Sequence, residues 1–120
     1  MADAAEVVRR FYAAVQARDL PAARRYLHDG LVFEGLFETY PDADAYLKAL
    51  TGLLSITTRL EVRAVFGEGG NAAVFFDLDT KAPVEAKTFV AEWHRVRDGR
   101  IAWVKSAFDG RPFAKMFGAG

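Results

Sequence analysis

The sequence predicts an α+β fold: a cone-shaped, curved mixed or antiparallel sheet with three N-terminal helices packed on its concave face. Three observations carry that expectation. Apolar residues recur at helical spacing through the first half, they alternate through the second half, and the two patterns hardly interleave. Helices followed by a run of strands place a helical layer on one sheet face, and a curved sheet under such a layer encloses a hollow where a ligand would sit.

The elements follow in order. Asp3 and Glu6 stand at capping-box spacing, with Asp in place of the usual Ser or Thr, and Val7, Val8, Phe11, Tyr12 and Val15 form one apolar stripe behind them. Asp19 caps a short second helix with Pro21 in its first turn and Ala22, Ala23, Tyr26 and Leu27 behind; Gly30 is expected to end the helical region. Leu31 to Leu36 reads as a short strand. Pro41 and Asp42 open a third helix with the stripe Tyr46, Leu47, Leu50, Leu53 and Leu54. Arg59 to Phe66 alternates with Leu60, Val62, Ala64 and Phe66 on one face, and Gly67 to Asn71 is a hairpin loop. Ala72 to Thr80, Val84 to Arg97 and Ile101 to Phe108 complete the meander. Asp98-Gly99 between the last two runs favours a type I′ turn, and Asp109 to Pro112 lead into an apolar tail, Phe113 to Phe117.

With 120 residues, 52% of them hydrophobic and 13% aromatic, residues 1–120 read as one folded domain. Sixteen basic residues balance sixteen acidic ones, so no global field attracts nucleic acid or an anionic membrane. The arginines at 9, 10, 24 and 25 read as solvated helix faces. No cysteine is present, which excludes disulfides and thiolate metal sites. The N-terminus lacks the basic and apolar regions of a signal peptide, and no apolar run reaches the ~20 residues that span a bilayer. The expectation is a cytoplasmic protein. Two histidines far apart in sequence give no metal-ligand spacing, and neither a phosphate-binding glycine loop nor a nucleophile elbow is present.

The candidate chemistry lies on the strand from Val84 to Val96. Every second residue there is small or apolar except Glu92 and His94, which share that face. A carboxylate beside an imidazole on a buried face is costly unless paired or used. As a functional pair, Glu92 fixes the tautomer of His94, which then acts as acid or base; as a structural pair, the two lock the core. Phe11, Tyr12, Tyr46 and Trp103 are the candidate ligand-lining residues, Tyr12 foremost as a hydroxyl donor. Phe89 and Trp93, between charges on the opposite strand face, suggest a homodimer interface. His28, at a helix end, and Asp77 and Asp79, toward solvent, read as structural.

Val8 to Ala14 followed by Arg18-Asp19-Leu20, then Tyr26 to Asp29, then Arg95 to Ile101, give the chain a layout that resembles the nuclear transport factor 2-like superfamily. The likeness is to its SnoaL-like polyketide cyclase and ketosteroid isomerase branch, and it covers nearly the whole chain. It implies the cone and not a reaction. In that branch the strand after the second helix carries a general base, which puts Glu34 in that role. An acid six residues before the Asp of the last hairpin points into the cone, which selects Glu92. A tyrosine from the first helix serves as oxyanion donor, and Phe11 stands at that position here. Apolar residues on both faces of the strand suggest dry surroundings for Glu34, where desolvation would raise its pKa.

Two functions are compatible with this pattern. One is a small cofactor-free enzyme that isomerises, dehydrates or cyclises a small apolar carbonyl or hydroxyl compound, with Glu34 as base and Glu92 and His94 as acid or orienting groups. The other is a non-catalytic ligand-binding or dimerising module of the same fold.

Overall fold

The protein is described here by a computed structural model covering residues 3–117. Helix α1 (Ala4–Gln16) starts at Asp3, whose carboxylate accepts the Glu6 backbone N–H at 2.8 Å. Such a cap contributes about 1 kcal/mol. The α1 stripe Val7, Val8, Phe11, Tyr12 and Val15 is buried as its spacing requires. Asp19 caps α2 (Leu20–Arg24) through the Ala22 N–H at 3.1 Å, and Asp42 caps α3 (Ala43–Ser55) through the Ala45 N–H at 2.8 Å. Arg18, at φ 58° in the turn between α1 and α2, donates to the carbonyls of Leu54 (2.6 Å) and Thr57 (2.8 Å). It thereby ties that turn to the end of α3.

Strands β1 (Leu27–Glu34), β2 (Thr39–Tyr40), β3 (Thr57–Glu68), β4 (Asn71–Thr80), β5 (Ala86–Arg97) and β6 (Arg100–Ala107) form one unclosed sheet in the order β2-β1-β6-β5-β4-β3. Every pairing is antiparallel except β1 with β6, so the sheet is mixed. A 3₁₀ helix, Arg111–Phe117, takes up the apolar tail. The fold class is therefore the one expected: α1 packs across β3 to β6, α3 lies against β1, and both sit on the same sheet face. Among the described residues no helix is long and apolar enough to cross a membrane.

Two expectations about elements are corrected. The strand expected from Leu31 starts at Leu27, because Leu27 pairs with Ile101 and the Ile101 N–H bonds the Tyr26 carbonyl at 2.7 Å. Both side chains are sealed in the core. Pairing with a distant strand overrides the local helical pattern, and His28 stands on a strand with its Nε2 2.8 Å from the Arg97 carbonyl. The second correction lies in β3. Its register against β4 passes from Val62↔Phe76 to Ala64↔Phe75, leaving Arg63 as the extra residue of a bulge. Leu60 and Val62 face inward, but beyond the bulge the faces exchange, Val65 turns in opposite Val74, and Phe66 turns out. The turn at Asp98 (φ 53°) and Gly99 (φ 75°) is left-handed at both positions, as a type I′ turn demands.

Candidate functional site

The inner faces of β4, β5 and β6 meet α3 around a cavity of about 440 Å³. Its walls are Phe33, Tyr46, Phe76, Leu78, Val90 and Phe108. Its mouth is formed by Leu36, Phe37, Glu38 and Tyr40 on one side and by Met116 and Phe117 of the 3₁₀ helix on the other. Phe37 and Phe117 stack there, 4.8 Å between centroids and 7° from parallel. Gly110 lets Leu36 and Phe37 pack close against the chain leading into the 3₁₀ helix, because a Cβ at this position would lie 2.3 Å from Leu36 Cδ2 and 2.9 Å from the Phe37 ring.

At the floor, β5 projects Thr88, Val90, Glu92 and His94 inward, the alternation expected of that strand. Glu92 is 7% exposed and His94 0%. The Tyr12 hydroxyl of α1 donates to Glu92 Oε1 in a short hydrogen bond, and His94 Nε2 lies 3.2 Å from the same oxygen. His94 Nδ1 is sealed without a partner among the described residues. The proton is therefore assigned to Nε2, facing the carboxylate, since on Nδ1 it would have nothing to bond. Burial first, and the Glu92 charge second, push the hydroxyls of Tyr12 and Tyr46 well above the ordinary tyrosine range, so both remain protonated donors. Both donors to Glu92 converge on Oε1. Oε2 makes no hydrogen bond among the described residues, and it belongs to a side chain that lines the cavity. A carboxylate fixed through one oxygen and open at the other can take a proton, or accept a hydrogen bond, from whatever occupies the cavity.

The expected convergence of three titratable groups reduces to Glu92 and His94, joined by Tyr12. Glu34 stands on the outer sheet face with its side chain 40% exposed, bonded by Trp103 Nε1 and 3.8 Å from Lys105 Nζ. The reason is parity: β1 turns Leu31 and Phe33 inward, so Val32 and Glu34 turn out onto a face only partly covered. Trp103 goes out with it, edge-on to Trp93 at 4.8 Å, with the Arg95 guanidinium 4.8 Å above both rings. Phe11 is fully buried behind the cavity wall, against Tyr12 and Tyr46. Tyr12 and Tyr46 do line the cavity. Asp77 faces out toward Arg63, 2.8 Å away. Glu34→Gln is accordingly expected to change melting temperature and any turnover by no more than about twofold in equilibrium or rate terms, read by thermal denaturation and by the assays below.

Strand alternation puts Thr88 on the inward face, but sequence reasoning missed Ser106, the other buried aliphatic hydroxyl on the lining. Counting back from the Asp98-Gly99 turn sets Glu92 opposite Lys105. A bulge between Arg95 and Val96 advances the register by one and brings Ser106 opposite Glu92 instead. Among the described residues no group of three or more His, Asp or Glu side chains is placed to hold a metal ion.

A family model for the SnoaL-like domain matches residues 8–104. No curated protein matches the chain. Among solved structures, a protein from Kribbella flavida DSM 17836 is 26% identical with a TM-score of 0.85, over 93% of this chain and 91% of that one. An LEH-like epoxide hydrolase from M. tuberculosis is 22% identical, TM-score 0.76, over 93% of this chain and 86% of that one. A candidate polyketide cyclase from Sinorhizobium meliloti is 18% identical, TM-score 0.75, over 84% and 93% respectively. At their identities the last two show a common fold and no more.

Proposed function

Because the chain belongs to the SnoaL-like domain family, whose matched span includes the floor of the cone, we propose that it is a small enzyme that moves a proton in an apolar carbonyl or hydroxyl compound. The base in this reading is Glu92, not Glu34, and no cofactor is required. The single observation that carries it is the unpaired Oε2 of a carboxylate otherwise buried among aromatic walls. Oε2 accepts a proton from the carbon beside the ligand's carbonyl. Tyr12 and His94 grip Oε1 and fix the direction of the open oxygen. The Tyr46 hydroxyl, which lines the cavity and feels the Glu92 charge, donates to the oxygen where negative charge develops. For a carbonyl ligand, isomerisation of an enone, loss of a β-hydroxyl as water and enolate cyclisation onto a second carbonyl can each begin with that step. The fold is shared with an epoxide hydrolase and a candidate polyketide cyclase, which supports catalysis in such a cone without choosing the reaction. The test is a turnover screen of enones, β-keto compounds and hydroxy-ketones with wild type beside Glu92→Gln. Activity that persists in the variant overturns the assignment.

Binding without turnover is a second reading, favoured by the exit of Glu34 from the cone, which leaves one buried carboxylate there. It gives saturable binding, no product, and a Glu92→Gln effect on affinity alone.

For partners, the proposal is a second copy of the chain on the outer sheet face. Phe66 (64% exposed), Phe89 (58%) and Trp93 (43%) lie there around Phe75, which contacts both Phe66 and Phe89. Sheets cover apolar faces by stacking on another sheet, and a two-fold copy supplies a face of matching shape. Sedimentation should give a dimer for wild type and a monomer for Phe89→Lys, with little change in the monomer's fold because the side chain is already exposed. A monomeric wild type at assay concentrations refutes it.

A further inference from the structure

We infer that the cone discriminates ligands by charge and is built to hold an aromatic or otherwise bulky apolar amine in its protonated form, with the ammonium on Glu92 Oε2. Among the described residues the lining contains no lysine, arginine or histidine; its ionisable side chains besides the tyrosines are Glu92 at the floor and Glu38 near the mouth. His94 touches Glu92 from behind and is itself completely enclosed, so its ring is out of reach of a ligand in the cavity. Among the described residues the side-chain partners of this carboxyl group, Tyr12 and His94, both sit on Oε1, and no side-chain partner reaches Oε2. A cation brought by the ligand supplies the missing partner. A carboxylate or phosphate brought by the ligand meets like charge in poorly screened surroundings.

The walls favour the same class. Phe33 and Tyr46 stack 4.5 Å apart at 13°, and Tyr12 lies 5.2 Å from Phe76, so aromatic rings surround the approach to Glu92. Aromatic walls with an acidic floor recognise alkylated ammonium groups through ring faces and a charge-assisted hydrogen bond together. The volume, about three times that of a ~150 Å³ cavity able to hold benzene, takes a two-ring skeleton with a short arm.

This inference rests on the same open Oε2 as the proposed reaction. An ammonium there occupies the place of the reacting carbon, so the amine is held as a competing ligand and not turned over, and its binding does not depend on turnover. Its test is calorimetric binding, at neutral pH, of three probes of one skeleton: naphthylmethylamine, acetylnaphthalene and naphthoate. The amine should bind at least about tenfold tighter than the ketone, and naphthoate at least about tenfold weaker than the ketone. Glu92→Gln should remove most of the amine's advantage and reduce the rejection of naphthoate. The wild-type ranking alone decides the matter if that variant fails to fold. Naphthoate binding as tightly as the amine, or an amine no tighter than the ketone, overturns the inference. An amine affinity that a folded Glu92→Gln leaves unchanged also overturns it, because the cation would then be resting on the exposed Trp93 face. Absence of turnover in the substrate screen counts against the proposed reaction and leaves this ranking standing.

Discussion

Glu92→Gln is expected to lower turnover of any accepted substrate by about 10²–10⁴-fold while the protein stays folded, because a positioned general base contributes that range. The substitution suits this site unusually well. A glutamine carbonyl at the Oε1 position still accepts from the Tyr12 hydroxyl and from His94 Nε2, so the buried donors keep their partner. Its amide nitrogen then takes the place of Oε2 and presents a donor where a proton acceptor stood. Stability should move by roughly 1 kcal/mol or less, since hydrogen-bond count and side-chain shape are preserved. The two readouts, rate and melting temperature, thus separate on one variant. A loss of rate below about tenfold with an unchanged melting temperature removes Glu92 from the role of base, and an equal collapse of both makes the group structural.

Much of this site was legible because β5 is long and regular. The alternation of Thr88, Val90, Glu92 and His94 is a backbone property of any strand, so their common inward face followed directly from spacing. Tyr12 was legible for a similar reason, since helical periodicity put it beside Phe11 on the buried stripe. Glu34 was not. Its strand is apolar on both sides, so alternation could name two faces without telling which of them the helices would cover. Only the pairing of Glu34 with Lys105 on β6 decides that, and it joins residues 71 positions apart in the chain. The bulges at Arg63 and before Val96 were equally hidden. Each inserts one residue, and neither is marked by a glycine or proline, yet each reverses every inward assignment beyond it. Phe66 on the outside and Ser106 opposite Glu92 are the two consequences that matter most here.

Phe11→Ala is expected to produce the largest loss of stability of any substitution considered, about 3–5 kcal/mol, which for a chain of this length is roughly 12–20 °C in melting temperature. Phe11 is 0% exposed, meets Tyr12 edge-on at 5.2 Å and lies 6.3 Å from Tyr46. Removing its ring leaves a void that α1, pinned across four strands, cannot collapse to fill. Phe66→Ala is the control within the same protein: an equal deletion from a ring 64% exposed should cost under about 1 kcal/mol in the monomer. The Phe11 void has a chemical consequence as well. It opens directly behind the two tyrosines whose hydroxyls serve the cavity, so Tyr12 loses the wall that aims it at Glu92 Oε1, and turnover or ligand affinity should fall even below the lowered melting temperature. Phe11→Tyr tests the complementary point. Because the ring is sealed behind the wall and not facing the ligand, a hydroxyl added there has no route to an oxyanion, and burying it should cost about 1–3 kcal/mol with no gain in rate. A rate increase in that variant would place position 11 inside the reacting volume and require the wall of the cavity to be redrawn around it.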